Sequence, residues 1–323
     1  MTTPTASFSI PVDVTNPGHV FACCGLLELG HRVWPGTEGW FERAEARFTL
    51  RAPARGPVEP SLAALVDAVA ACGFQGELSP EERAELEKLE RTKRALAKEG
   101  KTLSDAEEQR RVALGKLQRE GAITLGAPFD LRVDWWQEDG DGVPKTFAGK
   151  QEVLRMALGM VPHLSHAARA DSPMEYRSIL QAVTEAGDPP TGSARGRSRG
   201  GNGSNGKVEP FYFDARRFAH ALDVGFSLDV QEKTLRASAA PFTELLALIG
   251  LQRCRPRVAE DDRWAFDYFL WYQPLGVVAA AAVVSGSAKV DGGQRYRFRL
   301  EFRDDQRRYK AFGFATSHEV THG

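Results

Sequence analysis

The stretch NPGHVFACCGLLELG, residues 16–30, reads as one helix with apolar side chains on nearly every side. Asn16 can cap its first turn, Pro17 suits the first helical position, and Gly30 can end it. A helix that is apolar all round is buried. We therefore expect this helix to be buried on most sides. Its core-facing side chains are expected to be Val20, Phe21, Cys23, Cys24, Leu26, Leu27 and Leu29.

Alternating segments on either side of this helix predict strands. Residues 8–14, FSIPVDV, predict a half-buried strand, and Pro11 favours the edge of a sheet. Residues 40–52 alternate weakly, as a second strand would. Residues 264–274 carry bulky groups on both faces, which favours a central strand. Further strands are predicted at 129–136 and in a C-terminal hairpin of 294–303 and 308–315.

Helical patterns alternate with these strands at 61–72, 149–168 and 238–253, and Ser238 can cap the last of them. Residues 79–121 differ in composition, because two charged helical stretches begin at serines and end at glycines. We interpret this segment as a projecting helical hairpin, either a solvated insertion or a contact surface. The expected fold class is α+β, with a mixed or antiparallel sheet and packed helices.

Composition limits the class of protein. The 323 residues can bury a sizeable core, and the formal net charge of −1 favours no partner by itself. Four cysteines, none in a C-x-x-C pair, predict reduced thiols. The longest apolar run is half the length that a membrane-spanning helix needs. With no leader-like pattern in its first residues, the chain is expected in the cytoplasm.

Motifs of common enzyme sites are not found in the sequence. His163 and His166 lack a third ligand nearby, so we interpret them as ordinary helix-end histidines. The turn TNPGH, residues 15–19, is either a capped helix start, which we favour, or a phosphate site. Cys23 and Cys24 are expected to be buried and inert. We expect no catalytic residue, no metal ion and no other cofactor.

The strand RYRFRLEFR, residues 295–303, separates apolar from basic side chains. Its even-numbered residues are apolar, and the odd-numbered ones include Arg295, Arg297 and Arg299. Packing does not require this row of arginines, and guanidinium groups on a rigid sheet suit a phosphate backbone. A solvated strand face that resists aggregation is the other interpretation.

A second basic feature is the loop 187–208, whose part 191–207 contains six glycines and no acidic residue. Such a composition cannot bury enough apolar surface to order the free loop. Its cations could settle on a polyanion and order there, although a passive linker is the alternative. The predicted nucleic-acid contacts of this loop and of the residues just after it are Arg195, Arg197, Arg199, Lys207, Arg216 and Arg217.

Several blocks of the sequence resemble a CRISPR-associated family of type I-G (formerly I-U) operons. They lie at both ends of the chain and outside the hairpin and the loop, at 10–35, 223–230, 240–256, 271–283 and 297–315. The resemblance implies a component like the large subunit of a Cascade surveillance complex. In related complexes that subunit caps the guide-RNA foot, contacts the duplex beside the target (the PAM) and helps recruit the helicase–nuclease.

The sequence therefore predicts a non-catalytic Cascade subunit. Its expected partners are guide RNA, double-stranded target DNA, other Cascade subunits and the Cas helicase–nuclease, and no membrane. We expect an N-terminal α+β region at 1–186, the flexible loop at 187–208 and a C-terminal α+β region at 209–323, with a core that the two regions can share. The alternatives are a stand-alone RNA- or single-strand-binding protein, and an enzyme with scattered catalytic residues.

Overall fold

The computed structural model describes residues 5–54, 58–138, 142–147, 151–180, 209–217, 238–302 and 309–318. These residues form an α+β fold with antiparallel sheets, as the sequence predicts. The strands are β1 Thr5–Pro11, β2 Glu38–Glu42, β3 Arg47–Pro53, β4 Phe74–Gly76, β5 Ile123–Leu125, β6 Leu131–Val133, β7 Arg257–Val258, β8 Ala265–Leu270, β9 Leu275–Gly276, β10 Gln294–Phe302, β11 Lys310–Phe312 and β12 Thr316–His318. The helices are α1 Pro17–Val33, α2 Leu62–Ala71, α3 Pro80–Lys98, α4 Asp105–Glu120, α5 Val153–Met160, α6 Leu164–Ala168, α7 Pro241–Gly250 and α8 Val277–Val284.

Helix α1 lies at the centre of the core, and every residue from 17 to 30 is buried. Its start is as predicted, because the Asn16 side chain accepts a hydrogen bond from the Gly18 amide at 3.1 Å. The predicted end at Gly30 is wrong by about one turn, since the helix continues to Val33. A Cβ at Gly30 would lie 3.3 Å from the Thr37 methyl group, so this glycine allows close packing and does not end the helix.

Helices α1 and α7 cross in direct backbone contact. A Cβ at Gly25 would lie 2.1 Å from the Leu246 carbonyl oxygen, and a Cβ at Gly250 would lie 2.0 Å from that of Phe21. All residues of α7 are buried. One hydrophobic core thus contains residues from both the 1–186 and the 209–323 regions. The predicted cap of α7 at Ser238 is wrong, because Ala240 stands at the N-cap and Pro241 begins the helix.

The N-terminal sheet has the strand order β1-β3-β2-β9. Strand β1 lies at its edge, as Pro11 predicts. The single strand expected at 40–52 is instead the hairpin of β2 and β3. Ala46, in the turn between them, has a φ of 48°, a left-handed conformation that interrupts the weak alternation of this stretch.

The C-terminal sheet has the order β11-β10-β8-β7, and β12 also pairs with β10. The predicted central strand is β8, and β10 pairs with β11 as the expected C-terminal hairpin. A third, small sheet has the order β4-β5-β6. The strand predicted at 129–136 is shorter, since a 3-10 turn follows β6 and places Trp135 against α7, where its indole N–H donates to the Leu248 carbonyl.

The hairpin predicted at 79–121 is formed by α3 and α4. Ser79 and Ser104 each complete a capping box. Within α3, Arg91 bonds Glu87 at 2.8 Å, whereas Glu90 bonds Arg111 of the other helix. The cross-helix pairs fix the two helices to each other.

The remaining helices agree only in part with the helices predicted from the sequence. Helix α2 is confirmed. The helix expected at 149–168 is divided into α5, a 3-10 turn Val161–His163 and α6, because Pro162 in that turn has no amide hydrogen to donate. Among the described residues, no helix combines the length and the apolar character needed to span a bilayer.

Candidate nucleic-acid interface

Strand β10 separates its side chains as predicted. Tyr296, Phe298 and Leu300 are buried in the core. Arg295, Arg297 and Arg299, which we call the arginine row, lie on the opposite face because successive side chains of a strand alternate. Exposure is greatest at Arg299, whose side chain is 62% accessible.

A buried carboxylate on the neighbouring strand anchors this row. Asp267 of β8 lies opposite Arg297 in the antiparallel register. It accepts hydrogen bonds from Arg297 at 2.8 Å and from Arg295 at 2.5 Å. Burial by itself would raise the pKa of Asp267, but the two guanidinium groups outweigh burial and lower it. Asp267 is therefore ionised at neutral pH and holds two arginines in fixed positions.

Two more aspartates stand at the rim of the row, directly before β8. Asp261 pairs with Arg297 at 2.9 Å and is 70% accessible, and Asp262 pairs with Arg299 at 2.9 Å. The sequence pattern did not reveal these partners, since antiparallel register decides which acids face which arginines. The aspartates offset the mutual repulsion of the three arginines. Its role toward nucleic acid stays a prediction.

Arg216, the other predicted contact whose side chain the structure describes, belongs to a network at the start of α1. Its guanidinium bonds buried Asp214 at 2.7 Å and also bonds Glu175. Arg177 lies 3.7 Å from the same aspartate. Arg216 thus neutralises a buried carboxylate, whatever further contact it makes. The side chain of Arg217 and the predicted contacts Arg195, Arg197, Arg199 and Lys207 lie outside the described residues.

The start of α1 favours the capped-turn interpretation of TNPGH. Asn16 accepts from the Ala215 amide at 3.0 Å and donates to Asp214 at 2.9 Å. A Cβ at Gly18 would lie 2.4 Å from the Phe213 carbonyl oxygen. The segment 213–215 therefore covers the helix start, where a phosphate would have to bind.

The cysteines and histidines considered for an enzyme site include buried thiols and a hydrogen-bonded imidazole. Burial raises the pKa of the Cys23 and Cys24 thiols, which keeps them protonated. His163 shares a 3.0 Å hydrogen bond with the Ser178 hydroxyl, and burial lowers its pKa. Within the described ranges, no three His, Cys, Asp or Glu side chains are grouped to hold a metal ion.

A cleft that the sequence did not reveal opens between α4 and the C-terminal sheet. Its volume is about 680 Å³. Phe266 of β8 lies opposite Phe298 on the core side, and Trp264, just before β8, packs on Phe302 of β10. The cleft and the arginine row therefore use opposite faces of one sheet. We call it the basic cleft, after the cations among its lining residues: Arg110, Lys116, Lys145 and Lys310.

Comparisons with protein-family models, with curated proteins and with solved structures find no match to this chain. The resemblance to the type I-G family thus stays a prediction from the sequence blocks.

Proposed function

We propose that the protein is a non-catalytic, cytoplasmic subunit of a type I CRISPR surveillance complex. In that role it holds target DNA beside the PAM, the guide-RNA foot or both, and helps recruit the helicase–nuclease. The class of complex follows from the sequence resemblance. The structural observation that carries the proposal is the arginine row, fixed on a rigid sheet by Asp267.

The geometry of the row suits a phosphate backbone. Residues two apart on a strand are separated by about 6.8 Å, so the row offers its charges along a line. Guanidinium forks bind phosphate oxygens in pairs, and a fork already held in place loses less entropy on binding. Such contacts fix the position of a nucleic acid and carry no base information.

The rim partner Asp261 allows a test of this proposal. Because it is largely exposed, its pair with Arg297 contributes only about 0–1 kcal/mol, and a phosphate can replace it. We expect Asp261→Asn to tighten binding of duplex DNA about twofold to fivefold at low salt. Arg297→Gln should weaken binding and flatten the slope of log affinity against log salt by about 0.9. Fluorescence anisotropy with labelled duplex measures both.

Glu38→Gln is the matched control, because Glu38 also pairs with a partly exposed arginine, Arg51, on the N-terminal sheet. It changes the net charge as Asp261→Asn does, so equal gains in the two variants would indicate a general charge effect. An unchanged affinity in both Asp261→Asn and Arg297→Gln, with folding retained, would assign the row to solvent or to a protein partner.

The 191–207 loop leads to a separate prediction from the sequence. Replacing Arg195, Arg197, Arg199 and Lys207 with Ser should leave stability nearly unchanged and weaken target binding for all sequences. The weakening should shrink as salt rises. Native affinity at low salt would make the loop a linker, and a changed PAM preference would mean that it reads bases.

Simple observations distinguish the two alternatives from the proposed function. Co-purification with a short RNA and several other proteins supports a Cascade subunit. Purification of the chain with neither RNA nor other proteins, together with binding of any single strand, supports a stand-alone RNA- or single-strand-binding protein. Cleavage of nucleic acid by the pure protein with Mg²⁺ would refute a non-catalytic role and support an enzyme.

A further inference from the structure

We infer that the basic cleft binds a single-stranded segment of nucleic acid, with one base stacked on Trp264. The chemical class of this ligand, a nucleic acid, rests on the proposed function. The residues that would bind it are not those of the arginine row. The arginine row offers charges on a strand face, whereas the cleft is concave and partly aromatic. One sheet would then contact nucleic acid on both of its faces.

The charge of the cleft favours a polyanion. Among the described lining residues, two acidic ones, Glu120 and Glu138, stand with four cations. Glu138 is paired with Arg255 outside the cleft, and Glu120 lies 3.6 Å from Lys145. Arg110 is paired with Glu85, which does not line the cleft. The described lining thus has two more positive than negative side chains, and its lysines stand on both sides: Lys116 on α4, and Lys145 and Lys310 across from it.

An aromatic ring stands among these cations. Trp264 is half-buried and packs edge-on against Phe302, with ring centroids 5.2 Å apart. The Lys310 ammonium lies 4.6 Å and the Arg263 guanidinium 4.8 Å from the centre of its ring. A cation–π contact at a partly exposed site contributes less than the stacking of a base on an aromatic ring. A base can therefore replace one of the cations, which stays close enough to meet the adjoining phosphate.

The combination favours a single strand over a duplex. A duplex keeps its bases paired and stacked inside, so it cannot offer one to Trp264. Single strands bind proteins through a basic groove together with aromatic stacking platforms. An acidic peptide would satisfy the lysines, but it would not need the indole ring. The cleft volume lies in the range that encloses a group of about drug size, which suits one or two nucleotides.

The test uses the full chain, a labelled single-stranded RNA of about 12 nucleotides and a labelled DNA duplex. We expect Lys116→Gln with Lys145→Gln to weaken RNA binding about tenfold at low salt and to flatten its salt slope by about 0.7 per lost contact. Trp264→Leu should weaken RNA binding about 5- to 100-fold, and Trp264→Phe should retain most of it. Duplex affinity should change less than twofold in each variant.

The matched control is Lys98→Gln with Lys289→Gln, which removes two exposed lysines that do not line the cleft. Thermal unfolding shows whether each variant is folded. If Trp264→Leu does not fold, Trp264→Phe still tests stacking on an aromatic ring. Unchanged RNA affinity in the cleft variants, or an equal loss for RNA and duplex, overturns the inference. So does a loss confined to assembly with protein partners.

The two proposals fail in different ways. If the cleft variants leave RNA binding unchanged while Arg297→Gln weakens duplex binding, the cleft inference is wrong and the proposed function stands. If the cleft variants weaken RNA binding while the arginine-row variants have no effect, the cleft is supported and the arginine row is not. If the wild-type protein binds neither ligand, both are wrong.

Discussion

Gly25→Ala should destabilise the protein by about 3 kcal/mol or more, the largest effect that we expect from one added methyl group. The new Cβ would lie 2.1 Å from the Leu246 carbonyl oxygen, where a real carbon atom cannot stand. The obstacle is backbone in a fully buried helix, so no side chain can rotate away and α1 and α7 must separate. Gly250→Ala should act in the same way from the other helix.

Gly115→Ala in α4 is the matched control for both variants. Its Cβ would meet only the end of the flexible Arg119 side chain, at 3.2 Å. An alanine inside a helix is favoured over glycine by roughly 0.5–1 kcal/mol, so this variant should be as stable as the wild type or more stable. Chemical unfolding followed by circular dichroism measures all three. Wild-type stability in Gly25→Ala would contradict the direct backbone contact of α1 and α7.

The second large effect is a loss of stability in mild acid, caused by His19. This side chain is 1% accessible, and its Nδ1 accepts from the Asp13 amide at 3.1 Å. Its Nε2 has no hydrogen-bond partner among the described residues, and Glu175 lies 4.0 Å away. Burial, followed by the charge of Arg216, lowers the pKa of His19 to about 3, although Asp13 acts in the opposite direction.

Because the folded pKa lies below the unfolded value of about 6.5, the unfolded chain binds more protons between these two pH values. The contribution of His19 is complete above pH 6.5 and decreases as the pH falls toward 3. At 1.36 kcal/mol per pH unit, it loses about 2 kcal/mol between pH 7.5 and pH 5. Carboxylates with lowered pKa values, such as Asp267, lose their contribution only at lower pH.

His19→Asn isolates this effect, because an amide oxygen can accept from the Asp13 amide without titrating. The variant can be less stable at pH 7.5 through lost packing, so the pH dependence is the readout. We expect its free energy of unfolding to vary by about 2 kcal/mol less than that of the wild type over this range. The measurement is urea unfolding at a series of pH values. The same pH dependence in both proteins would show that His19 is not buried as a neutral group.

Local signals in the sequence predicted the parts of the fold that depend on neighbouring residues. The start of α1 follows from Asn16 and Pro17, and the capping boxes of α3 and α4 follow from Ser79 and Ser104. The two faces of β10 follow from simple alternation. Each of these features needs only a few consecutive residues, which is why a single sequence reveals it.

Features that join distant segments were missed for a corresponding reason. The three aspartates facing the arginine row depend on the register of β8 against β10, which alternation does not determine. The basic cleft requires α4 to lie beside β8 and β11. Gly25 and Gly250 look like ordinary helix glycines until their helices are placed in contact. Tertiary placement, which no local pattern encodes, decides all three.

The crossing of α1 and α7 also has a consequence for synthesis of the protein. Glu28, near the end of α1, and Arg253, just after α7, are bonded to each other and lie 225 residues apart. At about 5–20 residues per second, the ribosome releases α7 roughly 10–45 s after α1. During that time the face of α1 that packs against α7 is not covered by α7. Nascent chains of this protein are therefore expected to depend on chaperones until their last third has left the ribosome.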